Sequence, residues 1–173
     1  MRRTGRLLSL LVGLTATSIA VAGPALAEDI IGINGDDVLV GTDESDTIRG
    51  LRGQDVIRAA GGDDIVLGGG GGDRLRGQPG ADVVRGQRGS DFVSGGGGAD
   101  DLFGGAGDDT LIPGTGADSV DAGNGEDTIL IAADGTRDFI DCGEGVDVVT
   151  AEGDAVDPQD VFVNCETAPD PAP

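Results

Sequence analysis

The sequence predicts an all-β fold, a parallel β-solenoid built from nine-residue repeats. Between Gly32 and Leu130 an Asp recurs at every ninth residue, and an aliphatic residue follows two positions after each Asp. Gly stands two positions before each Asp with a single exception, Glu44. A fixed period of this kind over 99 residues indicates a repeat architecture in which each unit packs on its neighbours.

The eleven repeats follow one another without insertion, and we number their positions one to nine from Gly32. Position six is always Asp: Asp37, Asp46, Asp55, Asp64, Asp73, Asp82, Asp91, Asp100, Asp109, Asp118 and Asp127. Positions one to six are rich in Gly, which admits positive φ and close backbone approach, so they predict a turn. Positions seven to nine predict a very short strand whose middle side chain, at position eight, points inward.

Such short strands are stable only when each pairs with its equivalents in neighbouring turns of a stack. If successive strands lie on opposite walls, one turn of the solenoid takes two repeats. The eleven repeats then make five and a half turns, about 26 Å long at a strand spacing of ~4.8 Å. The interior is a thin double layer of Leu, Ile and Val. The Asp turns stack along two edges, where turns n and n+2 are neighbours.

Residues 1–27 have the features of a secretory signal peptide. A start with three Arg precedes the apolar stretch from Leu7 to Ala22, and Ala25-Leu26-Ala27 forms a small-residue cleavage site. A membrane anchor is the alternative, but the apolar stretch is short for a span. We therefore expect a secreted, extracellular protein that begins at Glu28 and does not insert into a membrane.

The composition excludes several classes of function. The net charge is −21, and loss of the three Arg of residues 1–27 takes it to −24. So acidic a chain repels nucleic acid and anionic membranes and attracts cations. There is no His, Lys, Trp or Tyr and only four Phe, so an ordinary globular core cannot form. With no catalytic base, phosphate-binding lysine or Gly-x-Ser-x-Gly turn, we expect no enzymatic activity.

The predicted edges need a cation. Stacked carboxylates one strand spacing apart repel one another, and a Gly-rich turn has little rigidity to resist this. Carboxylate and carbonyl oxygens suit Ca²⁺, which accepts roughly six to eight of them in flexible geometry, whereas Mg²⁺ dehydrates reluctantly. Without His and with two Cys, the chain does not favour a Zn²⁺ or Cu²⁺ site. We therefore expect folding to be coupled to Ca²⁺ binding.

The pattern Gly-Gly-x-Gly-x-Asp-x-aliphatic-x, cleanest in Gly104 to Ile112, resembles the RTX (repeat-in-toxin) calcium-binding repeats. The resemblance covers all eleven nonapeptides and implies a parallel β-roll. It also implies that Ca²⁺ lies between turns two repeats apart, bound by the position-six carboxylates and turn carbonyls. All eleven position-six Asp are then metal ligands. Eleven turns offer nine such intervals, five along one edge and four along the other.

Several turns depart from the pattern, and we expect weaker or empty sites beside them. The departures are Thr42 and Glu44, Ala59-Ala60, Gln78-Pro79, Gln87-Arg88 and Pro113. The best predicted sites join regular turns on the same edge, Asp91 with Asp109 and Asp109 with Asp127.

The C-terminal region predicts a cap. Past Leu130 the nine-residue register slips, so we assign the β-roll to residues 28–141, the cap to 142–166 and a disordered tail to 167–173. Cys142 and Cys165 can pair in an exported chain and staple the cap, with two unpaired thiols as the alternative. The Asp-x-Ile-x-Cys-Gly segment and the later Cys-Glu resemble secreted bacterial calcium-binding proteins.

Some features have two interpretations. The position-six Asp could instead close an Asx-type turn on its own backbone without metal. The position-nine arginines form either an anion-binding stripe or a solvated face that partly neutralises the Asp edges: Arg49, Arg58, Arg76 and Arg85. Acidic residues at position five either add ligands or are only solvated: Asp63, Asp108 and Glu126.

Two functions fit the sequence. The first is a free, monomeric calcium-binding protein, and the second is a calcium-stiffened adhesive or cell-surface structural module. An ice- or polysaccharide-binding face would need a regular outward array of Thr or aromatic residues, which position seven lacks. No protein or cell-surface partner can be named from the sequence.

Overall fold

The computed structural model describes residues 18–21, 27–152 and 156–166, which form strands, bridges and turns with no helix among them. Its sixteen strands are β1 Ser18–Val21, β2 Asp29–Ile31, β3 Asp37–Val40, β4 Thr47–Arg52, β5 Val56–Arg58, β6 Ile65–Gly70, β7 Arg74–Pro79, β8 Val83–Arg88, β9 Phe92–Gly97, β10 Asp101–Ala106, β11 Thr110–Thr115, β12 Ser119–Asn124, β13 Thr128–Ala132, β14 Phe139–Asp141, β15 Val148–Glu152 and β16 Val161–Val163. None of the described residues belongs to a helix that could span a membrane. The predicted tail, residues 167–173, and most of the predicted signal segment lie outside the described residues.

The strands form two parallel sheets on opposite walls of a solenoid. The odd-numbered strands make one eight-stranded sheet and the even-numbered strands the other, each in sequence order. We name them the odd sheet and the even sheet. Within each sheet the repeats pair in register at a separation of 18 residues, as Leu39 with Ile57 and Ile48 with Val66 show. The predicted all-β parallel solenoid, with two repeats per turn, is confirmed.

The strands are longer than the sequence predicted. Most of those in the repeats span six residues, as in β6, and the prediction of three is therefore wrong. Each begins at position seven and runs through position three of the next repeat, so Leu51 pairs with Gly69 and Arg52 with Gly70. Backbone pairing continues through positions two and three, because the neighbouring turn has the same backbone conformation in register. Only positions four to six remain as the turn.

Position eight lines the core as predicted, and all eleven of its side chains are at most 1 % exposed. Side chains alternate along a strand, so positions six and one share this inward direction. Accordingly Ala59 and Ala122, at position one, are fully buried. The eleven position-six Asp are at most 3 % exposed. The carboxylates therefore lie inside the edges of the roll and not on its surface.

Segments outside the eleven repeats extend both sheets. Ile30 in β2 pairs with Ile48 and covers the first turn, and β1 pairs with β3 although it lies within the predicted signal segment. Strands β15 and β16 lie in the predicted cap and continue the ladders. The predicted disulfide is confirmed, since Cys142 is bonded to Cys165 with their Cα atoms 5.2 Å apart.

Candidate metal centre

The position-six Asp form two hydrogen-bonded columns, one along each edge of the roll. The backbone N–H of each Asp donates to Oδ1 of the Asp 18 residues later, for example Asp91 to Asp109 and Asp109 to Asp127, both at 2.8 Å. One column contains Asp37, Asp55, Asp73, Asp91, Asp109 and Asp127, and the other Asp46, Asp64, Asp82, Asp100 and Asp118. Turns n and n+2 are therefore the neighbours, as the sequence predicted.

The columns continue beyond the eleven predicted ligands. Asp118 donates to Asp138 Oδ1 and Asp127 to Asp147 Oδ1, both at 2.9 Å and across 20 residues. Asp160 and Glu166 end the two columns. Sequence reasoning missed these members because insertions in the loops break the nine-residue count while leaving the strand ladder intact. A usable signal was the acid two residues before an apolar residue, as in Asp138 before Ile140.

The second carboxylate oxygen, Oδ2, divides the turns into two kinds. In nine of them Oδ2 is buried and no described residue hydrogen-bonds to it: Asp55, Asp64, Asp73, Asp82, Asp91, Asp100, Asp109, Asp118 and Asp127. In the first two repeats the position-two N–H of the same turn donates to Oδ2. These bonds run from Ile33 to Asp37 and from Thr42 to Asp46, each at 2.6 Å.

The backbone at position two separates these two kinds of turn. Position two has positive φ in repeats three to eleven, for example 120° at Gly105 and 81° at Gln78, but not at Ile33 or Thr42. Side chains disfavour this region, yet four of the nine residues are not Gly: Leu51, Ala60, Gln78 and Gln87. Stacking keeps these four residues at positive φ, because the position-two residues of the turns stacked on them also have positive φ. Closure of the turn by its own Asp thus occurs only in repeats one and two.

In the six of these nine turns that have Gly at position one, the unpartnered Oδ2 faces a small cradle. A Cβ placed on Gly50, at position one, would lie 2.2 Å from Asp55 Oδ2 and 2.6 Å from the carbonyl oxygen of Gly68 in turn n+2. A carboxylate oxygen and a carbonyl oxygen therefore converge where no side chain fits. These are hard oxygen ligands of the kind Ca²⁺ binds. The described residues hold no cluster of three or more His, Cys, Asp or Glu that could hold a metal ion.

The electrostatics of the columns also fit a cation. Burial raises the pKa of Asp109 from 3.8 to about 7, and repulsion from Asp91 and Asp127 adds to the shift, while the Asp91 N–H opposes it. The pKa values of Asp64, Asp73 and Asp118 rise to about 7 for the same main reason. A cation beside a buried carboxyl reverses this effect, because it favours the ionised form.

Comparison with protein families matches residues 31–149 to the RTX calcium-binding nonapeptide repeat, in overlapping segments 31–66, 40–75, 67–102, 76–111, 94–129 and 112–149. The chain belongs to the RTX calcium-binding repeat family. RTX repeats are calcium-binding, so membership of the family implies calcium binding and a β-roll, in agreement with the sequence. No curated protein and no solved structure matched the chain in the corresponding comparisons.

Two RTX turns provide a matched comparison of the Asp side chains. Asp109→Ala is expected to raise the calcium concentration at the folding midpoint severalfold and to reduce cooperativity, whereas Asp46→Ala has a smaller effect. Oδ2 of Asp109 is buried without a described partner, but Oδ2 of Asp46 accepts the Thr42 N–H and hydroxyl. Both substitutions remove one column bond, and Asp46→Ala removes the two bonds from Thr42 in addition. Equal shifts in circular dichroism titrations would contradict this ranking.

Proposed function

We propose that this chain is a secreted calcium-binding protein whose folding is coupled to Ca²⁺ bound between turns n and n+2. The observation that carries the proposal is the set of nine buried Oδ2 atoms without a hydrogen-bond partner among the described residues. Burying an ionised carboxylate is costly unless a counter-charge accompanies it. Ca²⁺ supplies that counter-charge when bound.

The residues of the turn have separate tasks in this proposal. Oδ1 accepts the N–H of the preceding column member and fixes the orientation of the carboxylate. Oδ2 and the position-one carbonyl of turn n+2 are offered to the metal. In six of the nine turns Gly at position one leaves the space for them, as at Gly86, where a Cβ would lie 2.3 Å from Asp91 Oδ2.

The nine turns with an unpartnered Oδ2 lie on two edges, which gives four intervals on one edge and three on the other. These seven intervals are the proposed principal sites. The intervals that begin at Asp37 and Asp46 are weaker, because the turn itself already satisfies Oδ2. Asp138 and Asp147 add one carboxylate beyond Asp118 and Asp127 in the two columns. We assign no further calcium site to them.

Secretion is supported by the signal-like residues 1–27 and by the Cys142–Cys165 disulfide, which fits an oxidising compartment outside the cytosol. The function proposed is binding and not catalysis, because His and Lys are absent and the carboxylates are already used in the periodic turns.

Calcium titration of the chain from Glu28 to Pro173 by isothermal calorimetry tests the proposal. About seven Ca²⁺ per chain are expected from the intervals counted above, with Mg²⁺ a poor substitute. The matched control is a chain in which Asp91, Asp109 and Asp127 are replaced by Asn. These substitutions remove the best intervals from the column that begins at Asp37. Absence of calcium-dependent heat from the unaltered chain, or the same stoichiometry in the control, would overturn the proposal.

A further inference from the structure

The outer face of the odd sheet lacks acidic side chains at its strand positions. Positions seven and nine point outward there, and in β3 to β13 none of them is Asp or Glu: Val38, Val40, Val56, Arg58, Arg74, Arg76, Phe92, Ser94, Thr110, Ile112, Thr128 and Leu130. The corresponding positions of the even sheet include four acids: Asp29, Asp101, Asp121 and Asp141. A face without carboxylates is an exception on a chain that carries −24 from Glu28 onward.

Three Arg lie together on this face. Arg58 of β5 and Arg76 of β7 are register partners on adjacent strands, and Arg74 stands two residues before Arg76. A strand spacing of ~4.8 Å and a rise of ~3.3 Å per residue place neighbouring Arg about 5 to 7 Å apart along the backbone. None of the three has an ion pair within the described part of the chain. Their charges are therefore available to a ligand.

Phe92 restricts one of these Arg side chains. The guanidinium carbon of Arg74 lies 4.5 Å from the centroid of the Phe92 ring on β9. Stacking of this kind leaves the N–H groups at the edge of the guanidinium plane free to donate. Their planar fork matches a carboxylate, and a side chain that is already ordered loses less entropy when it binds one.

Hydroxyl groups continue the same surface along the roll. Arg74, Phe92, Thr110 and Thr128 occupy position seven of the consecutive odd-sheet strands β7, β9, β11 and β13. This row is about 14 Å long, three strand spacings. The hydroxyls of Thr110 and Thr128 have no hydrogen-bond partner among the described residues. Position seven shows no regular array along the sequence, because consecutive repeats belong to different sheets, so the row arises only in the folded roll.

We propose that the outer face of the odd sheet binds a linear, carboxylate-bearing polysaccharide that lies along the axis of the roll. Arg58, Arg74 and Arg76 bind carboxylates of the sugar chain. Thr110 and Thr128 exchange hydrogen bonds with its hydroxyls. Guanidinium and hydroxyl groups repeated at one strand spacing complement a polymer that presents carboxylates and hydroxyls together.

The acidic composition of the chain is compatible with this ligand. The position-six carboxylates lie inside the edges, where bound Ca²⁺ would cancel much of their charge. The acids on the outer face of the even sheet lie behind a second sheet, at least about 10 Å away. Salt largely screens exposed charges at that distance, since the Debye length is about 8 Å at physiological ionic strength. A DNA duplex fits less well, because its dense phosphates require more cations than this face offers.

Binding of short hyaluronate and oligogalacturonate chains, measured by fluorescence anisotropy in saturating Ca²⁺, tests the proposal. The test rests on the proposed function, because the face forms only in the folded roll. The unaltered chain is expected to bind at least one probe. A variant with Arg58→Gln, Arg74→Gln and Arg76→Gln should bind it at least about tenfold more weakly, because three charge-assisted contacts are lost.

The matched control carries Arg49→Gln, Arg52→Gln and Arg85→Gln, the same change of charge on strands β4 and β8 of the even sheet. It should bind the probes as the unaltered chain does. An equal loss in the control would show that total charge, and not the odd-sheet face, determines binding. Undiminished binding in the first variant would show that Ca²⁺ at the edges holds the sugar. Either result would overturn the proposal.

A second variant tests recognition of the sugar hydroxyls. Thr110→Val and Thr128→Val remove two hydroxyls without a change of charge, and Val suits a strand as well as Thr does. Hyaluronate or oligogalacturonate binding should weaken severalfold, whereas any weak binding of poly-L-glutamate should not change. If the unaltered chain binds poly-L-glutamate or a DNA duplex as tightly as it binds the sugars, the face recognises anions in general and the polysaccharide is rejected.

Circular dichroism of each sample separates this proposal from the function on which it rests. An unaltered chain that folds with Ca²⁺ but binds neither sugar rejects the polysaccharide face alone. A chain that shows no structural response to Ca²⁺ rejects the proposed function.

Discussion

Removal of Ca²⁺ with a chelator is expected to abolish most of the β-structure of this chain in low-salt buffer. Nine carboxylates then remain buried with Oδ2 unpartnered in the described residues, stacked in columns that repel one another. The core that opposes this is thin, a double layer of position-eight side chains such as Leu102 and Leu111. The 34 Gly of the chain add a large conformational entropy cost of folding.

Far-ultraviolet circular dichroism measures this loss directly. Addition of millimolar Ca²⁺ should restore the β spectrum, and the same concentration of Mg²⁺ should restore much less, because Mg²⁺ fits an all-protein oxygen site poorly. The disulfide stays intact during chelation, so the control with chelator and excess Ca²⁺ isolates the effect of the metal. A folded spectrum that chelation leaves unchanged would show that the columns need no cation.

Acidification is expected to act in opposite directions on the metal-free and the calcium-loaded chain. In the folded, metal-free chain, burial and then neighbouring carboxylates raise the pKa of Asp73 and Asp118 to about 7 and of Asp100 to about 6, above the ordinary 3.8. The folded state therefore binds protons more tightly than the unfolded state. The resulting stabilisation is complete below the unfolded pKa and is lost as pH rises through the folded pKa. The window is about pH 4 to 7.

Protons and Ca²⁺ compete for the same carboxylates. A carboxylate with a pKa of about 7 must lose its proton before it can bind Ca²⁺. Below that pH, each further pH unit therefore weakens calcium binding at this carboxylate roughly tenfold. We expect the calcium midpoint to rise steeply from pH 8 to pH 5, while the metal-free chain gains β-structure from pH 7 to pH 4. Circular dichroism titrations at fixed ionic strength check both trends. A calcium midpoint independent of pH would show that these buried carboxyls do not bind the metal.

The sequence was sufficient to predict the architecture, because its Asp and aliphatic residues recur with a fixed period. Asp37 to Asp127 in steps of nine fixed the repeat, and Leu39 to Ile129 in the same steps fixed the inward face. Two repeats per turn then followed from pairing very short strands, and the 18-residue pairing confirms it. The Cys142–Cys165 bond was also predictable from two Cys in a chain with a signal-like start.

The sequence could not identify the column members after Leu130. Asp138 and Asp147 join the columns across 20 residues, because stacking conserves the position of a strand and not the length of the loop before it. A search for Asp at every ninth residue therefore does not find these two residues. The pattern also ranked Gln78 and Gln87 as poor turn residues, yet both adopt the positive φ of their Gly neighbours.

The local sequence of each turn thus establishes the repeat, the fold and the acidic edges, since these depend on residue types at fixed spacing. The state of each carboxylate depends on stacking between turns. Asp37 and Asp109 are identical in the repeat pattern, but Oδ2 accepts an N–H of its own turn in the first and has no hydrogen-bond partner among the described residues in the second.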